Sequence, residues 1–115
     1  MNDLEKRLAA LQIDLDNTWQ KLQIDQKIEN LKNLELQISE PEIWQNPEHA
    51  KKVNTNFSRL KSEVEPWQVL KVQASDLYDI IALKEADLLE EIDDQLSSME
   101  QTLLELKKAL RFTNP

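Results

Sequence analysis

SEPEIWQNPEHAKK, residues 39–52, interrupts a chain otherwise patterned as helix almost from end to end. Pro41 and Pro47 stand six apart with Trp44 between them. The ring of Pro41 crowds Glu40 out of helical geometry, so a helix arriving from the N-terminal side stops near Ile38 or Ser39. Asn46-Pro47-Glu48 then has the chemistry of a helix start. An amide can cap the first turn, a proline sits where its missing N–H is not needed, and an acid meets the positive end of the dipole. The interruption reads as a corner rather than a linker. Ile43 and Trp44 fall just before the N-cap, where an apolar side chain packs back onto the new helix. Both are expected to plug the end of a bundle while the chain reverses.

Apolar stripes run outward from this corner in both directions. Upstream, Leu4, Leu8, Leu11, Leu15, Trp19 and Leu22 lie on one helical face behind a capping candidate, Asp3. Ile24, Ile28, Leu31, Leu34 and Ile38 form a second stripe in a different phase. Asp25 sits at the slip and could cap a new helix, which favours a break near residues 23–25. A continuous kinked helix is the alternative. Downstream, Ala50, Val53, Phe57, Leu60, Val64 and Trp67 keep a heptad rhythm, and Leu70, Ala74, Leu77 and Ile81 resume one step out of phase. Pro66 falls between the two runs, where a kink or a stop and restart is expected. Asp87 with Glu90 marks a last helix start, followed by Leu89, Ile92, Leu96, Met99, Leu103, Leu106 and Leu110. Acids gather in its first turn and Lys107, Lys108 and Arg111 in its last turns, as the helix dipole prefers.

These stripes predict an all-α fold, a three- or four-helix bundle with a long antiparallel coiled-coil-like hairpin. The helices are expected at about 3–23, 25–39, 47–83 (kinked near Pro66) and 87–112, in one domain over residues 1–115. The chain has no glycine, which removes phosphate-cradling loops, and no cysteine, which removes disulfides, thiolate metal sites and cysteine nucleophiles. No apolar run approaches the ~18 residues that would suggest a membrane span. The charged, amphipathic start MNDLEKRLAAL is unlike a secretory signal, so a cytoplasmic location is expected.

Charge is distributed unevenly. The formal net charge is −8, and the eight acids from Glu85 to Glu105, with no Lys or Arg among them, account for all of it. A direct grip on nucleic acid needs a basic face, and only His49, Lys51, Lys52, Arg59 and Lys61 offer a modest one. Both clusters read first as solvated helix faces, and a basic protein is the fitting partner for the acidic one. The lone His49 has no second metal ligand and no nucleophile at a recognisable spacing. Adjacent pairs such as Glu90/Glu91 and Asp93/Asp94 point about 100° apart and do not converge. Trp19, Trp44 and Trp67 read as core rather than as base-stacking platforms, since single-strand binders interleave aromatic with basic residues and no such run occurs around them. No catalytic, metal or cofactor site emerges, and the residues singled out are the corner set Pro41, Ile43, Trp44, Asn46 and Pro47.

The stretch ISEPEIWQNPEHAKKVNTNFSRLKSEVEPW (residues 38–67) resembles the N-terminal domain of the bacterial peptide chain release factor 2 family. There, too, a helix ends in a proline, an acid and a tryptophan before an Asn/Asp-Pro-Glu step into a long helix. Pro41, Glu42, Ile43, Trp44, Asn46, Pro47, Glu48 and Ala50 stand here in that order. KLQIDQKIENLKNLELQI upstream and ADLLEEIDDQLSSMEQTLLELKKAL downstream extend the likeness over about residues 20–112. Trp44 leans toward factor 2, because the sister release factor 1 usually lacks it. The family's peptidyl-tRNA hydrolysis motif, Gly-Gly-Gln, and its stop-codon motif, Ser-Pro-Phe, are missing. The resemblance therefore implies a first domain on its own, excised or truncated, with neither catalytic nor codon-reading residues. It implies the ribosome as partner, at the GTPase-associated region of the large subunit and its stalk-base protein, while the proline corners and phase slips favour a chain that folds on itself as a monomer. It also implies proximity to the class II release-factor GTPase. The alternative is a free-standing helical adaptor or a coiled-coil dimerisation module, since periodicity does not separate an internal hairpin from an intermolecular one.

Overall fold

A computed structural model describes residues 2–113, with side chains through Leu110. It contains helices α1 (Asn2–Lys21), α2 (Ile24–Ser39), α3 (Pro47–Ala82) and α4 (Leu89–Thr113). Two 3-10 turns, Pro41–Gln45 and Ala86–Leu88, lead into α3 and α4. No strand occurs among the described residues, and the all-α expectation is borne out. The chain divides into two units. One takes residues up to Thr18 together with those from Val69 onward, and the other is Trp19–Gln68.

The first unit is a three-helix arrangement of α1, the second half of α3, and α4. Its core is the set of stripes read from the sequence: Leu4, Leu8, Leu11 and Leu15 from α1, Leu70, Ala74, Leu77 and Ile81 from α3, and Ile92, Leu96, Met99 and Leu103 from α4, all buried. Heptad spacing makes this possible because positions three and four apart share one helix face. Ion pairs fix the pairing of α1 with α4. Arg7 Nη1 donates to Asp93 Oδ1 at 2.6 Å and Arg7 Nη2 to Glu100 Oε1 at 2.7 Å, with Ser97 Oγ at 3.1 Å. Lys107 Nζ donates to both carboxylate oxygens of Asp14, at 2.9 and 3.0 Å. Early residues of α1 thus meet early residues of α4, and the two helices run parallel. The hydrogen bond to Glu100, then that to Asp93, raises the pKa of Arg7 above its ordinary value, so the clamp stays cationic wherever the protein is folded.

The second unit is a helical hairpin, α2 against the first half of α3, with the Pro41–Gln45 turn at its closed end. Lys27 Nζ donates to Glu63 Oε1 at 2.6 Å, tying the start of α2 to α3. Burial here is thinner. Ile24, Val53, Val64 and Trp67 are buried, but Ile28, Leu31, Leu34, Ile38, Phe57 and Leu60 are only half-buried. Each helix of a two-helix seam has a single covering neighbour, so the flanks of its apolar stripe stay open to water.

Several local expectations are corrected by the structure. The break between α1 and α2 does occur, but Asp25 does not cap it. Gln23 makes the turn in the left-handed region, with φ 55°, and no side chain caps α2. Asp25 instead accepts a hydrogen bond from the Trp19 indole at 3.0 Å, which gives that buried ring's N–H its partner. Asp3 does not precede α1 but lies in its first turn. Asp87 does not stand as the N-cap of α4; it falls inside the Ala86–Leu88 3-10 turn that leads into Leu89, a turn with no side-chain cap. Lys84 provides the reversal there, again left-handed at φ 54°. In a chain without glycine these two corners must use residues that carry a Cβ. Pro66 does not stop α3, which is helical without interruption from Pro47 to Ala82. Arg111, expected in the last turn of α4, lies outside the described side chains.

Candidate functional site

The corner residues lie on the Pro41–Gln45 turn and at the start of α3. Pro41 opens the 3-10 turn after Glu40, which is extended at φ −72°, ψ 123°. Asn46 caps α3, its Oδ1 accepting the His49 backbone N–H at 3.2 Å, and Pro47 occupies the first helical position. Ile43 is 9% exposed and joins a cluster with Ala50 and Val53, against which Leu34 and Ile38 pack. Trp44, expected beside it in the core, is 62% exposed. A 3-10 helix has three residues per turn, so consecutive side chains diverge by about 120°. Once Ile43 faces inward, Trp44 cannot. Trp19 and Trp67 are buried as expected.

The modest basic group is interspersed with acids at the corner. His49, Lys51 and Lys52 are exposed on α3, with Glu40, Glu42 and Glu48 around the same turn. Lys61 lies 5.9 Å from the centre of the Phe57 ring, a cation–π contact on its own helix. Arg59 lines a groove of about 440 Å³ between α2 and α3, where the amides of Asn30, Asn33, Gln37 and Asn56 alternate with Leu34 and Leu60. Among the described residues, no group of three or more His, Cys, Asp or Glu side chains could hold a metal ion. No helix among them is long and apolar enough to cross a membrane.

Sequence reasoning missed a surface at the α3–α4 turn. A groove of about 410 Å³ lies between the end of α3 and the start of α4. Leu77 and Ile92 form its buried floor, and Ile80, Leu83 and Leu88 its walls. Leu83 is 64% exposed and Ile80 38%. Asp76 and Glu91 stand on its rim. Residues 72–95, which form the turn and its approaches, hold eight acids and one lysine, a net −7. The signal was present as apolar residues that the α3 stripe does not use, Ile80 and Leu83. Following only the strongest periodicity discards them.

A family model described as the PCRF domain matches residues 27–113. Peptide chain release factor 2 of Thermomicrobium roseum is 30% identical over 109 residues, which is 95% of this chain and 27% of that relative. The factor 2 of Streptomyces avermitilis is 28% identical over 108 residues, covering 94% of this chain and 28% of its own length. That of Chlamydia pneumoniae is 28% identical over 106 residues, 88% of this chain and 29% of the relative. The chain thus spans less than a third of the length of these relatives. The likeness to release factor 2 read from the corner is borne out.

Proposed function

The chain belongs to the PCRF domain family, and from that premise we propose that it is the first, helical domain of a translation termination factor. It contacts the ribosome and does no chemistry of its own. The match over residues 27–113 carries this reading, because it runs through the corner and both long helices rather than through one leucine stripe. In this reading residues 1–115 form one domain of a cytoplasmic factor, and peptide release and codon reading belong to the family's central and C-terminal domains. Its partners are the GTPase-associated region of the large subunit, with the stalk-base protein, and the class II release-factor GTPase. Complementary charge supports the choice: an acidic helical surface suits basic ribosomal proteins and speeds their encounter.

The reading is tested by exchange. This chain replaces the matching segment of Thermomicrobium roseum release factor 2, and ribosome pelleting and peptide release are measured for the chimera, the parent and a version lacking the segment. The chimera is expected to pellet and release peptide close to the parental level, with the shortened version weaker in both. A folded chimera, helical by circular dichroism, that behaves like the shortened version would sink the reading.

A further inference from the structure

We propose that the apolar groove at the α3–α4 turn receives a basic amphipathic helix from a protein partner. This rests on the reading of the chain as a contact domain and gives that contact a surface and a chemistry. The groove is walled by α3 and by the approach to α4, with Ile80, Leu83 and Leu88 facing it and no α1 residue lining it. A trough between two antiparallel helices is filled best by a third helix, whose ridges fit between theirs.

The molecule already contains one example of what this hairpin accepts. Helix α1 packs against α3 and α4 with leucines at spacings of three and four, Leu4, Leu8, Leu11 and Leu15, all buried. On its flank, Arg7 reaches Asp93 and Glu100 of α4. Leucine knobs plus a guanidinium for the acids is the pattern a second occupant would repeat. On the open side, Asp76 and Glu91 wait at the rim of an apolar trough, within a segment of net −7.

The same charge argues against other occupants. A second copy placed face to face would bring two such segments together, since a two-fold contact repeats the same patch on both sides. Phosphate backbones and anionic lipid surfaces are repelled for the same reason. A basic partner alone gains from both the trough and its rim.

The test uses the full chain and a synthetic helical peptide about five turns long, with leucines at three- and four-residue spacing and Lys or Arg elsewhere. One control peptide has the same composition scrambled, and another has Glu in place of the cations. Amide NMR shifts are expected around Ile80, Leu83 and Leu88, with a dissociation constant on the order of micromolar. Both controls, and the Leu83→Glu variant with the designed peptide, should bind about tenfold more weakly or worse. Leu83 is mostly exposed, so the variant should retain its circular dichroism spectrum. Equal binding of the scrambled peptide, indifference to Leu83→Glu, or shifts confined to α1 would overturn the proposal. So would a dimer in light scattering that Leu83→Glu dissolves. Ribosome pelleting by the exchanged factor without peptide binding would remove this inference and leave the contact-domain reading. Peptide binding without pelleting would do the reverse.

Discussion

Ile43 and Trp44 are neighbours with opposite surroundings, and the 3-10 turn separates them. Ile43 closes the apolar cluster with Ala50 and Val53, while the indole of Trp44 stands in solvent. Ile43→Ala should lower stability by about 2–4 kcal/mol, the scale for truncating a buried aliphatic side chain. Trp44→Ala should stay within about 0.5 kcal/mol. Urea denaturation midpoints of the two variants decide the matter, and a larger loss at Trp44 would contradict the geometry. Gln23 and Lys84 raise a different residue-scale question. Both hold left-handed backbone, at φ 55° and 54°, where a Cβ meets the following carbonyl. Gln23→Gly and Lys84→Gly remove that clash at the expense of a more flexible unfolded chain. Each is expected to gain roughly 0.5–1 kcal/mol, read as a rise in thermal midpoint. The phase slip marked a break near residues 23–25, but not which residue turns left-handed, because glycine is the usual marker of such a position and none is present.

Helix α3 runs 36 residues through an internal proline. Pro66 supplies no N–H to the carbonyl of Ser62, and its ring presses on that turn. The helix persists because burial on either side outweighs the local penalty: Val64, Trp67 and Leu70 are each at most 3% exposed. Restoring the hydrogen bond with Pro66→Ala should raise stability by about 1–2 kcal/mol. That is less than the ~3 kcal/mol propensity difference, since alanine also frees the unfolded chain. A fall in the denaturation midpoint would mean that the ring itself is needed for packing. Helix existence and facing were legible because leucine spacing reports them directly, and every residue of the α4 seam from Ile92 to Leu103 is buried. Helix starts were less legible. Asp25 and Asp87 had the right side chains for caps, yet the Trp19 indole took one and a 3-10 turn absorbed the other. Capping chemistry is shared by any donor within reach, and sequence does not reveal which donors those are.

At the scale of the whole molecule, the corner set was readable because proline and asparagine act locally, whereas the α3–α4 groove was not. Ile80 and Leu83 acquire meaning only when the turn brings Leu88 opposite them. The question that remains at this scale is whether the leucine seams are satisfied within one chain. Those of the three-helix unit are: Leu8, Leu15, Leu96 and Met99 are no more than 2% exposed, with no second chain present. Arg7 and Lys107 lock the same faces from outside, to Asp93 and Glu100 and to Asp14. A seam already filled offers a second copy little apolar area, and a net charge of −8 makes like chains repel. Light scattering should therefore return the monomer mass of 13.5 kDa at every concentration, at low salt as well as high. Arg7→Ala should weaken the lock by about 1 kcal/mol, less in high salt because the Arg7 side chain is one-third exposed, without changing that mass. A stable species of twice the mass, independent of concentration, would mean that the seams open and exchange between chains. The adaptor reading would then displace the contact domain.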